Sequence, residues 1–353
     1  MKRFGYYALA LPVCLLVAGC GGDVKDGPRK TTAMAALSLV CTGKTGVEVR
    51  ESIFRFLPVD ARRGKTIKPR SVAVLKAAFE KSGYDLEGIR ENGHAVPRLM
   101  PAHLPGDIRN IERSETRKAV FIAAVLPGVL QVNERILCER RYVLKLKNQR
   151  QQGKALSKRD RANLAILQSR YETGAKTTDG VNGGIDGDID GVIESLLVRI
   201  DAVPPSLAIA QAAIESGWGT SRFARAGNAL FGQRTTDLDG GLRPAGHDDD
   251  TKIRVRAFER LADSVAAYAL NLNTHAAYKK FRIHRAALRR KGAELTGGLL
   301  AETLSRYSER GQAYLRDLKR IMTGNRLHAF DGARLKDTAR VGVTIRNKDE
   351  SDA

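Results

Sequence analysis

Residues 205–232 read PSLAIAQAAIESGWGTSRFARAGNALFG, and the fold turns on this stretch. The run through Ala213 is small and apolar. A proline at the first turn loses nothing by lacking an N–H, and Gly217 and Gly219 stop the pattern, so a helix is predicted over residues 205–216. Glu215 falls at the C-terminal end of that helix, where the helix dipole opposes negative charge. Ala208, Ala212 and Ala213 leave little side chain to cover it except an incoming ligand. Such a carboxyl has a raised pKa and can stay protonated near neutral pH, as a general acid requires. Trp218, three residues on, is expected to lie against it. The competing reading is an exposed glutamate closing a surface helix.

Outward from this stretch the chain is mostly helical. Upstream, helices are predicted over residues 71–82, 115–148 and 158–171. The second carries Pro127-Gly128, expected to kink or divide it, and the third has a capping-box-like start at Ser157 and Asp160. Pro97, Pro101 and Pro105 mark a loop. Residues 178–191, TDGVNGGIDGDIDG, read as a Gly/Asp-rich linker or insertion. Asp186, Asp188, Asp190, Gly191 and Ile193 imitate half of a calcium loop, but Leu197 stands where a bidentate Glu belongs, so the stretch reads as an acidic turn. Downstream, residues 228–258 carry Gly240-Gly241 and an alternating Ile253, Val255, Ala257, the pattern of a small β-hairpin lobe. Helices return over 262–274, 277–291, 299–305 and 311–327. The expected organisation is a signal over 1–20, a tether over 21–50, a helical region over 51–177, the linker over 178–191, a catalytic domain over 192–328 and a polar tail over 329–353.

The run AQAAIESGWGTSRFARAGNALFGQ, with NLNTH at 271–275, Tyr278, YSERG at 307–311 and Tyr314, resembles the signature of bacterial glucosaminidase-domain peptidoglycan hydrolases. The resemblance is greater to their Bax-like branch, whose upstream helical region is similar to RKAVFIAAVLPGVLQVNERIL at 117–137. It covers roughly residues 115–328. Ala229 departs from it, standing where that family usually has a second Asn.

The resemblance implies a lysozyme-like α+β fold, mainly helical, in which a helical lobe and a small β-lobe flank a cleft. It implies hydrolysis of the β-1,4 bond after N-acetylglucosamine, with the acid on Glu215 and Tyr307 facing it in a supporting role. A second carboxylate would come from the β-lobe: Asp237, Asp239, Asp248, Asp249 or Asp250, with Asp239 and Asp248 foremost. A carboxyl separation of about 6.5–9.5 Å would mean inversion and one of about 5–5.5 Å retention. The substrate acetamido group is an alternative nucleophile. Trp218, Asn228 and Phe231 are the substrate-binding candidates, although both aromatic rings also suit a core. No cofactor or metal is expected: His247 beside Asp248, Asp249 and Asp250 lacks a second His or Cys at ligand spacing, and His275 reads as a helix-end hydrogen-bonder. Two other functions remain open, a lytic transglycosylase of the same fold and a non-catalytic wall-binding lipoprotein.

The N-terminus points to the compartment. Lys2 and Arg3 precede an apolar run over 6–18, the layout of an export signal. It ends in Val17-Ala18-Gly19-Cys20, similar to a bacterial lipobox in which Cys20 takes lipid. Gly21 follows where an Asp would signal inner-membrane retention, so the outer membrane facing the periplasm is expected. The 353 residues suggest about two domains. At 42% hydrophobic and 28% charged the chain is globular, and four cysteines do not make a disulfide scaffold. A net charge of +21 asks for an anionic partner. Export removes nucleic acid from that role and leaves peptidoglycan glycan strands and the membrane. Cys41 and Cys138 would remain in a compartment that permits a disulfide, while the apolar-periodic stretch around Cys138 equally suits a buried free thiol.

Overall fold

The computed structural model describes residues 64–171, 188–236, 241–244 and 253–337. Its fold is mainly helical α+β, lysozyme-like in arrangement, with two small sheets. Cys20, Cys41, His247 and all five β-lobe Asp candidates lie outside the described residues.

The first segment is short elements pinned by caps. Strand β1 (Lys65–Ile67) pairs in parallel with β2 (Leu99–Pro101). The proline-rich loop expected there thus contains a strand, its three residues all buried. Proline sits at its end, where a missing donor costs no ladder bond. Helix α1 (Val72–Lys81) begins at Ser71, whose hydroxyl accepts from Val74 N. Helix α2 (Leu86–Asn92) begins at Asp85, which accepts from Glu87 N and Gly88 N.

Helix α3 (Ser114–Gln151) is the spine. It runs unbroken through Pro127, against the expectation of a division there. An internal proline costs roughly 3 kcal/mol of helix stability. Here every residue from Val120 to Asn133 is buried, and that burial outweighs the loss. By length and composition α3 would pass for a membrane span, but 83% of its most apolar window is buried inside the protein. Half-buried Cys138 on this helix is disulfide-bonded. Helix α4 (Lys158–Tyr171) starts as read, with Asp160 N donating to Ser157 Oγ at 3.0 Å.

Helix α5 (Ile189–Arg199) begins inside the segment read as linker. Asp188 caps it by accepting from Gly191 N, and Asp190 pairs with Arg150. Both acids of the calcium-like run that the structure describes are thus engaged. The chain then enters α6 (Pro205–Ser216) through a buried charge cluster. Asp201, 1% exposed, takes two hydrogen bonds from Arg289. Burial alone would raise its pKa; the Arg289 hydrogen bonds and the Arg285 and Arg140 charges hold it below the usual value. Fully buried Arg285 donates to the carbonyls of Arg199, Asp201 and Ala202 and to Asn273.

Helix α7 (Arg222–Gly227) leads into a three-stranded antiparallel sheet of β3 (Arg234–Thr235), β4 (Gly241–Leu242) and β5 (Arg254–Arg256), with β5 central. This is the small β-lobe. Helices α8 (Leu261–Thr274), α9 (Lys279–Arg290), α10 (Gly297–Ala301) and α11 (Gln312–Gly324) complete the fold. Helix α3 packs against α5, α6 and α8, and α6 also packs against α10, α11 and the 3₁₀ turn Leu327–Phe330.

The beginning of the region read as polar tail is docked. Phe330 and Leu335 are buried, and Val96 and Leu335 form a parallel bridge. Asp331 accepts from Ser206 N, Ser206 Oγ and Gly297 N at 2.8, 2.8 and 2.9 Å. It therefore caps α6 from 125 residues away, where the N-cap itself, Pro204, has no side-chain bond to give. Asp331→Ala leaves these donors unpaired in a buried place. It should lower unfolding free energy by about 1–3 kcal/mol, measured by urea denaturation.

Candidate active site

The environment of Glu215 follows from how α6 is buried. Residues 205–213 are all buried, and Glu215 on the last turn is half-buried. Helix α6 ends in two successive left-handed residues, Gly217 (φ 59) and Trp218 (φ 58). Glycine adopts this conformation freely; tryptophan does so under strain. The turn is locked by Trp218 N donating to Ala213 O at 2.9 Å and by Gly219 N donating to Ser216 Oγ at 2.9 Å. Gly219 is left-handed too (φ 79), and a Cβ there would also crowd Leu104 Cδ1 at 2.6 Å and Phe121 at 3.1 Å.

This turn redirects Trp218. The expectation that it lies against Glu215 assumed helical spacing, and the helix has ended before it. Its ring packs edge-on to Phe121 of α3 at 5.7 Å, with Lys118 Nζ 5.7 Å from its centre.

Glu215 instead faces a wall of tyrosines. The Tyr314 phenol on α11 stands beside its carboxyl and acts on it as a hydrogen-bonding neighbour, pulling its pKa down. Gln211, one turn earlier on α6, donates from Nε2 to Tyr314 Oη at 2.9 Å, and Tyr268 on α8 donates to Gln211 Oε1 at 2.6 Å. Tyr307 lies in this wall, stacked on Tyr314 at 5.7 Å and edge-on to Tyr268 at 6.5 Å, with Tyr278 at 5.8 Å. Burial raises the pKa of Tyr268, Tyr307 and Tyr314 well above 10, and the Glu215 charge adds to it. These phenols therefore stay protonated and can donate. The pKa of Glu215 itself is pushed up to about 7 by burial, against the downward pull of the Tyr314 hydrogen bond and the Arg310 charge.

The other sequence candidates have structural partners. Phe231 stacks on Tyr268 at 3.9 Å, 4% exposed, and backs the tyrosine wall. Asn228 is left-handed (φ 52), ends α7, and donates to the carbonyls of Phe258 and Glu259, tying α7 to the chain leaving β5. Its Oδ1 is buried without a hydrogen-bond partner. Ala229 is 2% exposed. His275 accepts from Ala277 N, as a helix-end residue. Among the described residues no group of three or more His, Cys, Asp or Glu could hold a metal ion.

Sequence reasoning overlooked Gln211 and Tyr268 and used Tyr314 only as part of a motif. The overlooked signal was present. Gln211 is the only amide in an otherwise small and apolar helix, four residues before Glu215 and on the same face.

Residues 196–327 match the glucosaminidase family model, described as mannosyl-glycoprotein endo-beta-N-acetylglucosaminidase. The chain is also 33% identical over 213 residues to Protein bax of Escherichia coli strain K12, covering 59% of this chain and 69% of that protein. No solved structure matches.

Burial of Glu215 also sets a pH dependence of stability. Its folded-state pKa of about 7 is above its ordinary 4.5, so folding favours the protonated carboxyl. That contribution is full below pH 4.5 and is lost as pH rises through about 7. Glu215→Gln stays neutral. At pH 8 it should be more stable than the parent by up to roughly 3 kcal/mol, and the two should converge near pH 4. Urea denaturation of both proteins across that range measures the difference.

Proposed function

Because the chain belongs to the glucosaminidase-domain family, in its Bax-like branch, we propose that it cleaves peptidoglycan glycan strands at the β-1,4 bond following N-acetylglucosamine, with Glu215 as general acid. A glycosidase-type enzyme is what the family supplies; the bond, the acid and the location are this reading's own. The observation that carries it is the placing of half-buried Glu215 at the end of a buried helix against a wall of tyrosines, burial that raises the pKa of the carboxyl and keeps the phenols protonated. At neutral pH a large fraction of Glu215 holds its proton and can pass it to the departing glycosidic oxygen. Tyr314 steadies the carboxylate left behind, and Tyr307 in the same wall supports it.

Positive charge that develops at the anomeric carbon needs a nucleophile. Asp239 and Asp248 of the β-lobe remain candidates, and the substrate acetamido group is the alternative. Among the described residues the groups acting on Glu215 are Tyr314 and Arg310, with Tyr268 and Tyr307 beside them, and none is a second carboxylate. Product analysis by mass spectrometry separates hydrolysis by either nucleophile from the lytic transglycosylase alternative. Hydrolysis leaves reducing N-acetylglucosamine ends; a lytic transglycosylase would leave anhydro-sugar ends.

The same reading places the enzyme at the envelope, exported and held through lipid on Cys20, on the periplasmic side of the outer membrane. The segment Val17-Ala18-Gly19-Cys20 after an apolar run supports this, and the charge of +21 suits anionic lipid and wall.

Two outcomes are expected. Glu215→Gln should fold and lose at least about a hundredfold in activity, since general acid catalysis contributes typically 10²–10⁴-fold. A peptidoglycan zymogram followed by turnover on soluble glycan fragments measures it; near-parental clearing would remove Glu215 from the role. Cys20→Ala should move the protein from the membrane to the soluble fraction, because several acyl chains hold firmly where one binds marginally. Cell fractionation with labelled fatty acid reads this out.

A further inference from the structure

Three buried groups stand in line behind Glu215, and their hydrogen bonds have a direction. Tyr268 Oη donates to Gln211 Oε1 at 2.6 Å and Gln211 Nε2 donates to Tyr314 Oη at 2.9 Å, while the Tyr314 hydroxyl adjoins the Glu215 carboxyl and lowers its pKa from there. Gln211 is 0% exposed, and Tyr268 and Tyr314 are 1% exposed. Water therefore does not repair a broken link.

An amide can be turned over, so the line has two polarities. In the reverse one, Gln211 donates to Tyr268, and Tyr314 donates to Gln211 instead of to Glu215. The far end decides between them. Among the described residues the hydrogen bond to Gln211 is the only one formed by the Tyr268 hydroxyl. In the reverse polarity its hydrogen would be buried with no acceptor, a cost comparable to losing a hydrogen bond outright. The forward polarity satisfies every group.

We propose that Gln211 is a positioning residue that, held one way round by Tyr268, keeps Tyr314 a donor to Glu215, so that the acid's own proton is carried on the carboxyl oxygen directed at the substrate. In the reverse polarity the Tyr314 oxygen would be free to accept. The Glu215 proton could then turn inward, away from the leaving group. The forward polarity leaves the inner carboxyl oxygen an acceptor and the outer one the hydroxyl. After proton transfer the same Tyr314 donor stabilises the carboxylate. This rests on the reading of Glu215 as the acid.

The charged and titratable groups facing Glu215 are Arg310 and Tyr314 from the segment entering α11, Tyr307 before it, and Tyr268 from α8. Arg310 is itself paired with Asp317. None of the substitutions at 211, 268 and 314 below changes a formal charge.

The test is a double-mutant cycle on Tyr268→Phe and Tyr314→Phe, with Gln211→Leu as a third variant, in the full chain. Tyr268→Phe removes one oxygen three links away from Glu215 and keeps the ring that stacks on Phe231. It should lower kcat about fivefold, the worth of one ordinary hydrogen bond, with KM little changed. The Glu215 titration, followed by ¹³C NMR of labelled glutamate against Glu215→Gln, should move upward, as should the alkaline limb of the kcat profile. Gln211→Leu should shift both in the same direction. In the Tyr314→Phe background, which has already lost the last link, Tyr268→Phe should have no further effect on kcat or on the titration.

Tyr268→Phe and Gln211→Leu variants that melt like the parent and leave the Glu215 titration in place would overturn the proposal. So would fully additive effects of Tyr268→Phe and Tyr314→Phe. A loss of rate with an unmoved pH profile would mark a packing role only, and would overturn it equally. Failure of the acid reading has a different signature, an active Glu215→Gln, and the NMR titration does not depend on activity.

Discussion

Enclosing a helix on nearly every side while leaving one carboxyl at its open end is the constraint on which the rest depends. Helix α6 gains its place from α3, α10, α11 and the closing 3₁₀ turn, and all of its first nine residues are buried. Because its body is small and apolar, neighbours approach closely, and the carboxyl on its last turn loses water with little to replace it. The chemistry of Glu215 is therefore a property of the packing around the helix more than of the residues that touch its oxygens. Ends of the chain remote in sequence serve the same purpose: Asp331 holds the first turn of α6, and the Asp201–Arg285–Arg289 cluster fixes the segment that feeds it.

The tyrosine wall shows how a polar site can be built in a core without unsatisfied groups. Burial raises phenol pKa values, so the wall offers donors and no charge. Gln211 is the one side chain able to accept from one phenol and donate to another. Replacing it by a hydrocarbon would fill the volume but leave the buried Tyr268 hydroxyl without a partner.

Helices with strong local signals were legible in the sequence. The bounds of α4 and α6 agree with the capping serine at 157, the first-turn proline at 205 and the glycines after 216, since these act within one turn. Features set by tertiary contacts were not. Pro127 remains inside an unbroken α3 because burial outweighs one lost backbone bond, and β2 forms in a proline-rich stretch because β1 and α3 enclose it. At the site, the raised pKa of Glu215 could be argued from its apolar neighbours alone. The position of Trp218 could not, because the local rule assumed one more turn of helix than Gly217 allows. The tyrosines come from three separate segments, 268, 307 and 314, and spacing says nothing of their meeting.

Trp218 has a consequence for how such a catalytic unit could be moved between proteins. Its indole rests on Phe121, and Gly219 abuts Leu104 and Phe121. The family match begins at residue 196, so these supports are upstream of it. Grafted alone into another protein, the matched segment would carry the acid and its tyrosines but not the surface on which its tightest turn is seated. Any host would have to supply an equivalent of α3, with an aromatic ring at that height. The boundary drawn by sequence similarity and the boundary of mechanical support are thus different lines on the same chain.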